Sequence, residues 1–403
     1  MIAGLAEQFR RRCFTIFSSG FLRGLRGIAL GYALLSVLLG SSAPVHAFTL
    51  IEGDSESGYY DLRAYARLQE DVLLFDHVPD TVSTRSDLLR RARFGMSLRL
   101  HDNWILRASG DFARRAALRD LALEYRGWPA RIEIGRIPEP FSIGASINSS
   151  DTLLMNRPSP TNFGPDYGLG IGANLRGESW GLSSGIYTRD GGPTFSGRYP
   201  ENAASARGTW RPLRGEWGFL HVGASASVRE GKSGSGVQLS GTAESSLVSG
   251  FTPHAALQTN TDRYLLFGGE TAARVGPVVI LSEYIRAQIE SGPTWYGDYV
   301  EAAWSLTGER RPYSTRYGII GGVTPNHPIT ENGWGAWELA ARWSMTDLRD
   351  GGGDFGRIAS VGLNWYPVDP LRISIGGERA HMELPDGERR DGNIAQLRLQ
   401  FDF

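Results

Sequence analysis

Over the final stretch of the chain, apolar and polar residues alternate one for one. Ala395, Leu397, Leu399, Phe401 and Phe403 fall on one face, and Gln396, Arg398, Gln400 and Asp402 on the other. A period of two predicts a β-strand with one apolar and one polar face. The same alternation recurs upstream. Leu62, Ala64, Ala66 and Leu68 oppose Asp61, Arg63, Tyr65, Arg67 and Gln69. Ala92, Phe94, Met96 and Leu98 oppose Arg91, Arg93, Gly95, Ser97 and Arg99. Trp337, Leu339, Ala341 and Trp343 oppose Glu338, Ala340, Arg342 and Ser344. In each of these strands the polar face carries charge. The pattern fits a soluble sandwich with its charges outside, or a membrane barrel with its charges inside.

The start of the chain favours the barrel. Arg10, Arg11, Arg12, Arg23 and Arg26 form a basic head, followed by an apolar run from Ile28 to Leu39. Small residues Val45 and Ala47 are then placed for cleavage before Phe48. This predicts a signal peptide over 1–47 and a single mature domain over 48–403. The apolar run is too short to span a bilayer comfortably. A mature chain with no long apolar helix crosses a membrane as a barrel, in which every backbone group is paired. A strand with Phe403 at its end is the closing strand expected of an outer-membrane barrel, and Phe403 is the residue expected to be read by the barrel-assembly machinery.

Composition removes several function classes. The only cysteine, Cys13, leaves with the signal peptide, so no thiol chemistry or disulfide is expected in the mature chain. Cleavage removes five of the 42 basic residues but only Glu7 among the 43 acidic ones, leaving a mildly acidic chain that is no nucleic-acid binder by charge. Six histidines remain, none at metal-ligand spacing, and neither a metal nor a cofactor is called for. Gly177-Glu178-Ser179-Trp180-Gly181 matches the hydrolase nucleophile pattern but sits in a hairpin turn with no helix after it, so no enzymatic activity is expected.

Tryptophans gather near strand ends, as at Trp104, Trp128, Trp180 and Trp365, which suits girdles at two bilayer interfaces. Short turns such as 126–129 and 366–370 are expected on the periplasmic side. Long connections are expected at about 76–87, 137–167, 189–206, 230–250, 290–298, 310–334, 347–355 and 381–393. At about 22 residues per strand and connection, the mature chain holds roughly sixteen strands, enough for an aqueous channel.

In their order and spacing, several short pieces resemble the phosphate-selective porin O and P family. They include Ala66-Arg67-Leu68-Gln69, Leu89-Arg90-Arg91-Ala92, Leu123-Glu124-Tyr125-Arg126-Gly127 and Ile134-Gly135-Arg136 before Pro140-Phe141. Further on come Gly335-Ala336-Trp337-Glu338-Leu339 and Gly362-Leu363-Asn364-Trp365-Tyr366. The resemblance covers nearly the whole mature chain. It implies a homotrimer of sixteen-stranded barrels in the outer-membrane lipid of a Gram-negative cell, with Arg67, Arg90 and Arg91 at an anion-binding constriction. By alternation, Arg63 and Arg93 share their face, whereas Arg90 falls one residue off it, at a strand start or a bulge. The sequence departs from phosphate-specialised members in having one lysine, Lys232, and a Ser- and Gly-rich stretch at 230–250. A general or mildly charge-selective pore, with any preference toward anions, is therefore expected in place of a phosphate-specific one.

The 137–167 connection holds five prolines and is long for a hairpin. It is expected to fold into the lumen and narrow it, bringing Glu139, Asp151 or Asp166 opposite the arginines. The leading functional reading is passive diffusion of small hydrophilic solutes or anions. The alternative is a structural or surface-binding barrel without an open channel.

Overall fold

The structure is a computed structural model describing residues 48–55, 58–76, 85–113, 116–188, 202–231, 234, 236–245 and 250–403. The expected signal peptide, 1–47, lies outside the described residues, as do 77–84 and 189–201 of two expected loops.

In chain order the strands are β1 (Phe48–Ser55), β2 (Gly58–Asp76), β3 (Arg85–Leu100), β4 (Trp104–Asp111), β5 (Ala117–Tyr125), β6 (Arg131–Pro138), β7 (Tyr167–Arg176), β8 (Trp180–Thr188), β9 (Asn202–Arg214) and β10 (Gly218–Glu230). Then follow β11 (Arg263–Val275), β12 (Val278–Ile289), β13 (Thr294–Ser305), β14 (Tyr313–Ser314), β15 (Ile319–Ile320), β16 (Ala336–Asp347), β17 (Phe355–Val368), β18 (Leu371–Glu383) and β19 (Arg389–Asp402). Among the described residues one α-helical turn, α1, spans Ile143–Ser146. β2 to β13 and β16 to β19 pair antiparallel with their sequence neighbours, and β19 returns to β2 with Asn393 opposite Asp76 and Asp402 opposite Arg67. The result is a closed barrel of sixteen strands. β1 lies outside that ring and continues the line of β19 along the same edge of β2, with Phe48 opposite Ala64.

Burial decides between sandwich and barrel. On β19, Leu397 and Leu399 are each 45% exposed, whereas Gln396, Arg398 and Gln400 are at most 4% exposed. Apolar side chains face out and charged ones face in, the reverse of a soluble protein and the arrangement of a membrane barrel. Trp337 stacks on Trp365, with ring centroids 5.5 Å apart, beside the turn that joins β17 to β18.

Two expectations drawn from loop length need correction. The 290–298 and 381–393 stretches are mostly strand, leaving short connections at 290–293 and 384–388. The long 306–335 connection leaves β13 at the end that carries the short turns, not at the long-loop end. It turns back onto the buried face of the sheet. Arg207 donates to Tyr317 O (2.7 Å) and Gly318 O (2.8 Å), and Arg316 to Glu124 (2.9 Å). Length alone could not reveal which end of the barrel a connection occupies.

The inward face is also less uniformly charged than the alternation of other strands suggested. On β12, Val279, Leu281, Ile285, Ala287 and Ile289 are buried around a single acid, Glu283. They are covered by other parts of the chain. Ile143, Ile147, Leu153 and Leu154 pack with Ile319 and Ile320 against Val279 and Leu281. Phe141 and Phe163 pack with Val237 and Ala255 against Ile285 and Ala287. An apolar inner surface is stable here because these segments remove it from water.

Candidate pore-lining site

Residues 139–166 carry the three acids singled out by sequence, Glu139, Asp151 and Asp166. The segment leaves β6 with Glu139 accepting from Arg229 of β10 (2.8 Å) and from Ser205 (3.1 Å). Ser142 caps α1, its hydroxyl accepting from Ala145 N (3.0 Å) and donating to Glu283 (2.8 Å). Ile143 N donates to Glu270 (3.1 Å), so two inward carboxylates satisfy donors that the short helix leaves free. A Cβ at Gly144 would sit 2.5 Å from the Tyr299 hydroxyl, so only glycine allows this approach.

Beyond α1 the segment makes few backbone pairs of its own, and buried arginines satisfy its carbonyls instead. Arg372 donates to Ser150 O (3.1 Å), Thr152 O (2.8 Å) and Leu153 O (3.2 Å). Arg342 donates to Asn156 O (2.9 Å), Arg311 to Asp151 O (2.6 Å) and Arg398 to Met155 O. Arg157 folds back on Gly144 O, Ala145 O and Ile147 O at 2.7–3.0 Å. None of these straps was legible in the sequence, because each joins residues far apart in the chain and a carbonyl leaves no sequence signal.

The five arginines named from sequence divide by their partners. Arg67 is bidentate to Asp402 (3.1 and 2.9 Å), and Arg93 donates to Asp111 (2.9 Å). Both also donate to the Ser149 hydroxyl, at 2.8 and 3.3 Å. Arg63 pairs with Asp61 (2.7 Å) beside β1 and is set apart from the others. Arg91 donates to the Gln69 side-chain oxygen (2.6 Å), a neutral partner, and Gln69 in turn donates to Gln400 (2.6 Å). Arg90 falls where the β2–β3 pairing skips a residue, between Gln69↔Arg91 and Glu70↔Leu89, which is a bulge.

The acids of the segment do not oppose these arginines as a group. Glu139 is taken by Arg229, and Asp151 accepts from Ser150 (3.0 Å) within the segment. Only Asp166 shares a cavity with Arg90, Arg91 and Arg93; it accepts from Arg119 (3.2 Å). That cavity has a volume of about 1170 Å³ and is also lined by Arg119, Arg157, Asp111 and Glu244. Partial desolvation within the cavity acts to raise the half-exposed Asp166 carboxyl, but Arg119, Arg157 and Arg93 outweigh it and hold it below the usual carboxylate range. Sequence reasoning passed over Asp111 and Ser149. Asp402 stood on the polar face of the last strand, but its partner could be known only once the barrel closed.

A closed sixteen-stranded antiparallel barrel, apolar outside and polar inside, is the architecture of an outer-membrane porin. The sequence profile of the phosphate-selective porin O and P family matches residues 62–403, and the chain belongs to that family. It is an outer-membrane porin. Porin O of Pseudomonas aeruginosa is 21% identical over 444 residues, covering 94% of this chain and all of that protein. An uncharacterised protein of Caulobacter vibrioides is 27% identical over 314 residues; the match covers 70% of this chain but only 61% of that relative's length. Among solved structures, the outer-membrane channel DcaP of Acinetobacter baumannii matches with a TM-score of 0.55 at 12% identity, over 88% of this chain and all of that one. The trimer form of OmpT of Vibrio cholerae matches with a TM-score of 0.52 at 9% identity, over 85% of this chain and 99% of that one. At these identities the structural matches establish the fold.

Proposed function

We propose that this porin is a homotrimer that passes small hydrophilic solutes by passive diffusion and favours anions. In this reading residues 1–47 are removed on export, and the barrel is inserted into outer-membrane lipid by the barrel-assembly machinery with Phe403 as its signal. Segments 139–166 and 306–335 lie inside the lumen and narrow it, and Arg90, Arg91 and Arg93 line the narrow part with Asp166 across from them. The trimer form of a structural neighbour supports the assembly.

The observation that carries the anion preference is the partner of Arg91. Arg67 and Arg93 are each neutralised by a carboxylate, whereas among the described residues Arg91 meets only the neutral Gln69 side chain. Its charge is therefore not cancelled by contact, and its fork keeps donors for a passing oxyanion. A positive charge beside a low-dielectric wall raises the local anion concentration and lowers that of cations.

Planar-bilayer conductance under a potassium chloride gradient tests both parts. An open pore gives discrete conductance steps, and anion preference gives a reversal potential of the corresponding sign. Absence of steps from correctly folded protein removes the channel reading and leaves a surface-binding barrel. A cation-signed reversal potential removes the role given to Arg91.

A further inference from the structure

The outer surface carries charge where β17, β18 and β19 approach the long-loop end of the barrel. Arg357 of β17 lies opposite His381 of β18, which lies opposite Asp391 of β19. One pair further down β18, Arg379 lies opposite Ala359. Alternation turns all four charged or titratable side chains outward, because Gly356, Ile358 and Ala380 between them are buried.

Partners distinguish two of these groups. Elsewhere on this rim Arg349 is held by Asp347 (2.5 Å) and Arg389 by Glu383 (3.3 Å). Asp391 accepts from or pairs with His381 (3.0 Å). Arg357 and Arg379 are exposed and form no ion pair within 4 Å among the described residues. Two arginines and one aspartate leave a net positive charge.

The surface below them is apolar. Val361 and Ile375 are each 59% exposed, and Leu397 is 45% exposed. This apolar stretch runs down β17 to Trp365, stacked on Trp337 at the short-turn end. Eight residues at ~3.3 Å each, tilted by about 40°, rise roughly 20 Å, so an extended arginine at the top reaches the edge of a ~25 Å apolar band. Two free guanidiniums above exposed aliphatic side chains present both halves of an amphiphile's binding surface, and an arginine fork matches a phosphate bidentately.

We propose that Arg357 and Arg379 bind the phosphate of a phosphorylated glycolipid of the outer leaflet, whose acyl chains lie along Val361, Ile375 and Leu397. The test is native mass spectrometry of the folded, full-length mature protein incubated with bisphosphorylated lipid A, with dephosphorylated lipid A, and with phosphatidylglycerol. The parent protein retains bisphosphorylated lipid A in preference to the other two. The R357A/R379A double variant retains about tenfold less, while its bilayer conductance stays that of the parent. Where the double variant does not assemble, Arg379→Gln alone is read the same way, and Arg379→Lys keeps most of the binding. Equal retention of all three lipids by the parent overturns the proposal, as does unchanged retention by the variants. Conversion of the double variant to monomers with lipid retention unchanged also overturns it, because it assigns the two arginines to a contact between copies of the chain.

Discussion

Phe403 exchanges two backbone hydrogen bonds with Ala66: Ala66 N donates to Phe403 O at 2.8 Å and Phe403 N donates to Ala66 O at 3.0 Å. These bonds fasten the last residue of β19's line onto β2 at the seam of the barrel, and the Phe403 ring lies 5.4 Å from that of Phe401. Deleting Phe403 removes both bonds and the ring contact, a loss of about 1–3 kcal/mol at 0.5–1.5 kcal/mol per bond. The expected outcome is less heat-modifiable, folded protein in the membrane. Phe403→Asp keeps the backbone pair but loses the ring, so it separates closure of the seam from recognition of the aromatic. Wild-type levels of folded protein in both variants would leave Phe403 with no part in assembly.

Arg398 and Asp71 form a buried bidentate pair across the same seam, at 2.6 and 2.7 Å, and Arg398 also straps Met155 O. Arg398→Met strands Asp71 as an uncompensated buried charge, at about 3–5 kcal/mol. The barrel should lose its heat-resistant gel mobility at a clearly lower temperature. The R398M/D71N double variant removes the stranded charge and should recover part of the loss, although the Met155 carbonyl stays unpaired. Identical melting of the single and double variants would show that the pair does not act as a unit.

The legible parts of the fold were those with a local pattern. The alternation on β19 placed Leu397 and Leu399 outward and Gln396, Arg398 and Gln400 inward, and Arg90, one step off the alternation of its own strand, sits at a bulge. β12 was harder to read. Its inner face is apolar because distant segments cover it, and that covering leaves no trace in the strand itself. The partners of Arg67 and Arg93 were hidden for a related reason. Asp402 is 335 residues from Arg67 in the chain, and closure of the ring alone brings them together. Charge type was readable along the sequence, but charge pairing depended on three-dimensional register.

Asp166 gives the cavity a dependence on pH. Its folded pKa lies below the usual aspartate value of about 3.9, so its charge and its Arg119 pair are complete above that value and lost as the pH falls through the lower, folded one. Losing a negative charge beside Arg90, Arg91 and Arg93 should strengthen anion preference, so the reversal potential should move in the anion direction below about pH 4. Asp166→Asn should show that stronger preference already at neutral pH and lose its share of the acid step. A variant whose acid step matches the parent's would assign the titration to other carboxylates.

The sharpest prediction comes from the unequal partners of Arg91 and Arg67. Arg91→Ala removes a cation that no carboxylate touches among the described residues, and it should move the reversal potential toward cations. Asp402→Asn acts in the opposite sense: it releases Arg67 from its bidentate partner and should move the potential toward anions. Arg67→Ala exposes Asp402 and also removes a donor to Ser149, so it should combine a cation-directed shift with a change in conductance as the segment loosens. High salt should shrink all three shifts, because the Debye length falls from about 10 Å at 0.1 M to about 3 Å at 1 M. Shifts of one sign for both Arg91→Ala and Asp402→Asn would mean that these charges do not act on the permeating ion through its local concentration. No shift in either variant would place the ion path away from β2 and β3 altogether.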